Sequence, residues 1–336
     1  MIKYLLKTEH KTVLALLLSL GIQQGIAQTP IIFDTDFGGD ADDLGALAML
    51  NHFQNKKEIN LLAIMCWNRE TYAVSAIDAV NTYYGNPDVP IGFVGGAVTH
   101  TDWNHNKVLA ENLPYDASYE AVPNTTELYR KLLSEADDHS VKIVTVGPLL
   151  NIKNLLESEA DDIVSLNGKE LVAQKVQEFV IMGGQFPEGS RKEWNFDGNM
   201  PGVTQFVLAE IPVPITYLGY EIGVNLRTGE VFNSLDKNSP LYLGFYHFSK
   251  YAPWMKHQFK GKIYDNATYD QTAVLYAVRG GVDTYWSRIG NGICVPDHEG
   301  RNTWKNDPSA QQSYLVLNWP KARMEEALED FMLGKF

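Results

Sequence analysis

Cysteine is nearly absent: Cys66 and Cys294 are the only two in 336 residues. Two cysteines cannot define a disulfide framework, which excludes the small stapled folds. Each sits in an apolar stretch (LLAIMCW, NGICV), so both read as buried free thiols, although an oxidising compartment leaves a single bridge open. Basic charge is scarce as well, with 28 Lys and Arg against 41 Asp and Glu and a formal net charge of −13. Such a chain repels phosphate backbones and anionic lipid, so neither polymeric nucleic acid nor a membrane surface is an expected partner. No repeat, linker or low-complexity segment divides the sequence. Only one long apolar run occurs, Val13–Ile22, about half of the roughly 20 residues a membrane span requires.

That run has a context. Lys3, Lys7 and Lys11 precede it against one acid, Glu9, and Gly25-Ile26-Ala27 follows with small residues where a signal peptidase reads. Basic, apolar and small-residue regions in that order form a secretory signal peptide. Residues 1–28 are therefore expected to be removed, and the protein to be exported to the periplasm with no membrane anchor. Removal takes three lysines and one glutamate, leaving a formal charge of −15. Hydrophobic residues at 45% and aromatics at 11% supply ample material for a buried core.

The remainder alternates short apolar runs with helical patterns. Strands are expected at Ile31–Phe33, Leu61–Cys66, Ile91–Val94, Val141–Val146, Glu178–Met182 and Val213–Leu218. Helices are expected at Leu44–Phe53, Tyr72–Tyr84, Thr125–Glu135, Leu149–Glu157, Ala160–Ala173, Thr204–Ala209, Ser239–Tyr251 and Asp270–Val278, with an irregular tail from Trp286 onward. Continuously apolar strands suit burial on both sides. The pattern predicts a single α/β domain, residues 29–336, with a mostly parallel open sheet and helices on both faces. In such sheets ligands bind outside the carboxyl ends of the strands, and here those ends carry DTDFGGDADD, CWNRE, VGPLLN and MGGQ.

The first of these loops places five carboxylates, Asp34, Asp36, Asp40, Asp42 and Asp43, within ten residues. Like charges so close raise one another's pKa unless a cation neutralises them. All-oxygen donors select a hard ion, and irregular geometry favours Ca²⁺ over Mg²⁺. The loop is not an EF-hand: counted from Asp34, Gly38 falls at the third ligand and Gly45 at the bidentate glutamate. Asp40 reads equally as an added metal donor or a solvated side chain. Asp34 is expected to brace the loop through backbone N–H groups.

IIFDTDFGGDADDLGAL resembles the opening signature of the inosine–uridine-preferring nucleoside hydrolases, Asp-x-Asp-Pro-Gly-x-Asp-Asp-Ala, with two additional residues before the paired aspartates and Phe37 in place of proline. Three landmarks follow in the family's order. IVTVGPLLNI (Ile143–Ile152) is similar to its Gly-Pro-Leu-Thr-Asn loop. Val180–Gln185 with Glu193-Trp194-Asn195 is similar to its Met-Gly-Gly…Glu-Phe-Asn segment, and Tyr269-Asp270 to its His-Asp pair. The resemblance covers roughly residues 30–280 and implies an enzyme that splits the N-glycosidic bond of ribonucleosides. Implied with it are a calcium ion held by Asp36, Asp43, Asp270 and the Val146 carbonyl, and Asp36 as the general base. Asp42 would accept from a ribose hydroxyl, Glu193 and Asn195 would hold the ribose further out, and Asn68, after Trp67, would line the pocket. A small-molecule nucleoside is the implied partner; a homo-oligomer is left open.

Carboxylates suit an oxocarbenium-like state, because they stabilise positive charge developing on the sugar. A metal lowers the pKa of water and orients a diol. Tyr269 departs from the pattern, since it replaces the histidine thought to protonate the leaving base, and a phenol of pKa about 10 is a poor acid near neutrality. It can stack on a base instead, as can Trp67, Trp194, Tyr251, Trp254 and Tyr264. His247, His257 and His298 are candidates for a distal acid. The segment between Gly184 and Glu193 is short, and Ser190 and Arg191 are the candidates to replace an asparagine expected there. Two alternatives stand beside the hydrolase. One is an exported nucleoside-binding or hydrolase-like protein with weak or no turnover. The other is a haloacid-dehalogenase-type phosphatase, against which Gly38 and the lack of a lysine before a later acidic pair both count.

Overall fold

Nine strands share one sheet, and the alternation of their side chains explains how both faces are covered. The computed structural model describes residues 28–336, so the segment read as a signal peptide lies outside the described residues except for Gln28. The first half runs β1 (Thr29–Thr35), α1 (Asp42–Asn55), β2 (Ile59–Cys66), α2 (Ala73–Tyr83), β3 (Ile91–Phe93), α3 (Asn106–Asn112), α4 (Thr125–Glu135), β4 (Val141–Thr145), α5 (Leu150–Glu157) and α6 (Gly168–Lys175). There follow β5 (Val176–Met182), α7 (Trp194–Asp197), α8 (Val203–Glu210), β6 (Ile215–Leu218), α9 (Tyr220–Gly223), β7 (Arg227–Thr228) and α10 (Pro240–Tyr251). The last elements are β8 (Asn266–Ala267), α11 (Asp270–Arg279), β9 (Trp286–Pro296), β10 (Asn302–Asn306), β11 (Gln312–Leu317) and α12 (Lys321–Met332).

The strand order is β10-β9-β11-β6-β5-β4-β1-β2-β3. From β11 to β3 every pairing is parallel; β9 and β10 add to the far edge antiparallel. Successive residues of β1 face opposite sides. Ile31 and Phe33 pack with Leu44, Ile77, Phe245, Val274 and Leu328 on one face. Ile32 packs with Leu133, Ile152, Leu171 and Val207 on the other. The fold is thus the expected α/β domain with helices on both faces, and both cysteines are free and buried.

Two expectations need correction. The segment from Trp286 is not irregular: it forms β9, β10, β11 and α12. Its strands lie toward the sheet edge, and β9 is only partly buried, so it lacks the continuous apolar run that marks the inner strands. Nor does a helix begin near Ala160. Asn167 caps α6 in a reciprocal capping box with Glu170, which fixes its start. The preceding loop is held open by the buried Arg130, which donates to Asp161 at 2.7 and 2.9 Å and to the carbonyls of Val164 and Leu166 at 3.0 Å.

Because the inner strands run parallel, the loops after β1, β2, β4, β5 and β6 all open on one edge of the sheet.

Candidate active site

The carboxylate loop starts inside the protein. Asp34, fully buried at the end of β1, accepts from the Tyr129 hydroxyl at 2.8 Å and the Asn151 amide at 3.2 Å. Its bracing partners are therefore side chains of α4 and α5, not the backbone N–H groups expected. Burial pushes its carboxyl up to about 7. The chain then turns at Gly38 with φ of +111°, where a Cβ would lie 2.3–2.4 Å from the side chains of Asn104 and Asn106. Only glycine accommodates that turn.

Beyond the turn the acids converge. Asp42 and Asp43 open α1, Asp270 opens α11, and one carboxylate oxygen from each lies within 4.8 Å of the other two. Thr35 donates its hydroxyl to Asp43. Burial, then the neighbouring aspartates, hold Asp42, Asp43 and Asp270 well above the ordinary carboxylate range. Asp36 stands on the same cavity wall, raised by burial to about 6. Asp40 is raised mainly by burial to about 7 and accepts from the Ala41 N–H at 2.6 Å and from Asn266. Among the described residues, no lysine, arginine or histidine pairs with any of these five acids. Two helix N-termini favour negative charge only to about 0.3–1 kcal/mol each, too little for such a cluster. The donors are all hard oxygens, so the cluster fits a divalent cation such as Ca²⁺. Of the expected ligands, Asp43 and Asp270 are brought together, with Asp42 beside them; Asp36 and Val146 line the same cavity.

The other expected residues surround the acids. Asn68 lines the cavity while its amide donates to the carbonyls of Asp36 (3.1 Å) and Phe37 (3.0 Å), tying the β2 loop to the carboxylate loop. Glu193 caps α7, accepting from the N–H groups of Gly184 (2.8 Å), Asn195 (3.1 Å) and Phe196 (3.1 Å), and burial raises it to about 7. The Asn195 amide donates to the carbonyls of Val146 (2.9 Å) and Met182 (3.0 Å), joining the β4 and β5 loops. Gly147 permits the approach of β4's loop to β1's, since a Cβ there would lie 2.8 Å from the Asp36 nitrogen.

The cavity these residues enclose is about 620 Å³ and is walled by aromatic rings. Trp67 meets Trp194 edge-on at 6.2 Å, and Trp103 meets Trp254 at 5.2 Å. Tyr269 stacks on Tyr220 at 5.4 Å and 25°. Arg191 covers the opposite side of that pair, 4.1 Å from the Tyr220 ring centroid, and donates to its hydroxyl at 2.6 Å. Burial and its neighbours push the Tyr269 hydroxyl far above its ordinary range. A second cavity of about 540 Å³ adjoins the first across Asp40, Tyr220, Trp254 and Tyr269.

Of the proposed stacking residues, Trp67, Trp194 and Trp254 reach the site; Tyr251 and Tyr264 do not. Of the two candidates for the missing asparagine, Arg191 lines the cavity and Ser190 does not. His247, His257 and His298 are all absent from the lining; His247 is engaged with the Asp102 carbonyl at 3.3 Å. Tyr220 and Trp103 were missed. Tyr220 had a signal, two residues after β6 at the active edge, whereas Trp103 lies in a polar segment after β3 that offers no periodicity.

A model of the inosine-uridine preferring nucleoside hydrolase family matches residues 31–316. The structure is similar to that of a plant nucleoside hydrolase, PpNRh1 (TM-score 0.64, 16% identity, 90% of this chain and 98% of that one covered). It is similar too to the inosine-uridine preferring nucleoside hydrolase of Bacillus anthracis (TM-score 0.61, 15% identity, 92% and 99% covered). A third likeness is to the type III effector XopQ, solved in complex with adenosine diphosphate ribose (TM-score 0.63, 15% identity, 96% and 98% covered). At such identities these likenesses speak for the fold alone, and no curated protein matches the chain. The family match spans the carboxylate loop, the Glu193–Asn195 segment and Asp270 alike, and the chain belongs to the inosine-uridine preferring nucleoside hydrolase family, enzymes that hydrolyse N-glycosidic bonds.

Proposed function

We propose that this protein is an exported, calcium-dependent enzyme that hydrolyses ribonucleosides to ribose and free base. The observation that carries the reading is the buried cluster of Asp42, Asp43 and Asp270, with Asp36 beside it and no basic partner among the described residues, on the floor of a cavity with aromatic walls. Asp36, Asp43, Asp270 and the Val146 carbonyl would hold calcium, with Asp42 at its margin. Bound there, calcium would neutralise the cluster, orient a diol and lower the pKa of water.

The chain's own groups divide the remaining work. Asp36 takes the proton of the attacking water as general base. Asp42 accepts from a ribose hydroxyl, since a carboxylate is an acceptor for any polyol donor. Glu193 and Asn195 are held by backbone bonds, so they present their remaining oxygen lone pairs to the ribose in fixed positions. The acids together stabilise the positive charge that develops on the sugar as the base departs. Tyr269, with its hydroxyl pushed far up, serves the base by stacking beside Tyr220, and solvent supplies the proton to the leaving nitrogen. The basic, apolar and small-residue order of residues 1–28 supports export, and no helix of the described residues is long and apolar enough to cross a membrane.

The test is reducing-sugar release from inosine, adenosine, guanosine, uridine and cytidine, with calcium and with chelator. Ribose release that disappears with chelator and in Asp36→Asn is the expected result. Tight calcium binding without release from any of the five would favour the alternative of a nucleoside-binding relative without turnover, for which the loss of an acid at Tyr269 is the supporting feature.

A further inference from the structure

Trp194 connects two loops that are 158 residues apart in sequence: its indole Nε1 donates to Oδ2 of Asp36 at 2.7 Å. The donor's base is well restrained. Trp194 opens α7, whose N-cap Glu193 accepts from three backbone N–H groups. Its neighbour Asn195 is tied to the Val146 and Met182 carbonyls. The ring meets Trp67 edge-on at 90°. The indole itself is 47% exposed, so its position owes little to burial and much to these neighbours and to the bond with Asp36.

The other oxygen of Asp36 is located too. Oδ1 lies toward Gly147 of the β4 loop, 3.2 Å from where a Cβ would stand. The two oxygens thus have different surroundings, one against the β4 loop and one under the indole N–H. A carboxylate free to rotate would exchange them and present its lone pairs to water in many orientations, most of them unproductive.

We propose that Trp194 is a positioning residue for Asp36: its indole N–H fixes the rotation of the carboxylate and so selects which lone pairs meet the attacking water. The proposal rests on Asp36 being the general base. It separates the two properties of the indole, because the ring contributes to the ribose-side wall and the N–H acts only through Asp36.

Steady-state kinetics with inosine test it on the calcium-loaded protein. Trp194→Phe keeps the ring and removes the donor; kcat should fall about tenfold with KM within about twofold, the scale of one lost hydrogen bond to a charged group. Trp194→Ala removes both and should lower kcat and raise KM together. An unchanged kcat in Trp194→Phe, or a KM that rises in step with the loss, overturns the proposal. A second readout is independent of turnover. The chain has seven tryptophans, and the indole ¹H–¹⁵N peak that disappears in Trp194→Phe should be shifted downfield in the wild type and move upfield in Asp36→Ala. A peak indifferent to Asp36→Ala means that the hydrogen bond is absent in solution, which overturns the proposal. Wild-type protein without any ribose release sinks the hydrolase reading first, a failure distinct from an active wild type matched by Trp194→Phe.

Discussion

Asp42 and Asp270 are the first residues of two helices, α1 and α11, and their carboxylates come within 4.8 Å of each other and of Asp43. Helices far apart in sequence have thus been packed so that their positive ends aim at one point. Two helix termini suit one or two negative charges. With three buried carboxylates and Asp36 nearby, the arrangement is balanced only when protons or a cation occupy it.

A pH dependence follows with a definite sign. The folded pKa values of Asp36 and Asp40, about 6 and about 7, lie above the ordinary value of 3.8, and Asp42, Asp43 and Asp270 are displaced the same way. A carboxyl raised on folding contributes stability that is fully present below its unfolded pKa and is lost as pH rises through the folded one. Calcium-free protein should therefore lose stability from about pH 4 to about pH 7 and beyond, while calcium, competing with those protons, should stabilise progressively more over the same range. Thermal melts with calcium and with chelator at about pH 5 and about pH 8 check this, and an equal calcium shift at both would place the ion away from these acids.

Removing one charge should have opposite effects on stability and on binding. Asp270→Asn keeps the shape of the side chain and exchanges one acceptor oxygen for an N–H donor, while relieving repulsion with Asp42 and Asp43. Unfolding by denaturant in chelator should show a gain of about 1–2 kcal/mol, the equivalent of about one pKa unit of relieved like-charge repulsion. Calcium affinity measured by titration calorimetry should fall by at least about tenfold, and ribose release with it. A variant that is destabilised without metal and still binds calcium would show that Asp270 is a structural helix-start acid.

Much of this site was legible because it lies at strand ends. Continuous apolar runs marked β1, β2, β4, β5 and β6; the acids from Asp36 to Asp43 and Asn68 follow β1 and β2 closely, and Glu193-Trp194-Asn195 lies in the loop after β5. Periodicity failed where another force sets structure. Asn167 and Arg130 decide where α6 starts, through caps and buried hydrogen bonds that leave no apolar repeat. The edge strand β10 and its neighbour β9 are half exposed and so mix polar with apolar residues. Hydrogen-bond pairing was illegible altogether: nothing in the sequence says that Asp34 meets Tyr129, or that the Trp194 indole meets Asp36.

Tyr269 offers a gain-of-function test. Tyr269→His places an imidazole, with unperturbed pKa about 6.5, where the phenol now stacks on Tyr220. If departure of the base is limited by its protonation, kcat for inosine should rise about tenfold, less than the roughly 10²–10⁴-fold of a fully positioned general acid, and the pH–rate profile should gain a limb falling above about pH 6.5. Tyr269→Phe preserves stacking and removes the hydroxyl, so its kcat should stay within about twofold of wild type. A loss in Tyr269→Phe comparable to that of removing a general acid, about 10²-fold, would show that the phenol donates a proton despite its raised pKa.

Gly147 tests whether the close approach of two loops matters to the carboxylate that both surround. Its φ is not in the left-handed region, so alanine meets no backbone strain, and the obstacle is contact alone: the new methyl would lie 2.8 Å from the Asp36 nitrogen, with Asp36's own Cβ and Oδ1 at 3.1 and 3.2 Å. Backbone nitrogen cannot swing aside as a side chain would, so the β1 and β4 loops must separate by several tenths of an ångström. Overpacking of this kind costs about 1–3 kcal/mol, to be read from denaturant unfolding in chelator. The functional loss should exceed what stability predicts, because separation moves the Val146 carbonyl away from the aspartates and tilts Asp36 beneath the Trp194 indole. Calorimetry should therefore register weaker calcium binding in Gly147→Ala, with kcat down about 10²-fold. Calcium affinity and kcat both at wild-type level in a destabilised Gly147→Ala would show that the loops can part without disturbing the site, and that Asp36 is held by Trp194 and its own strand instead.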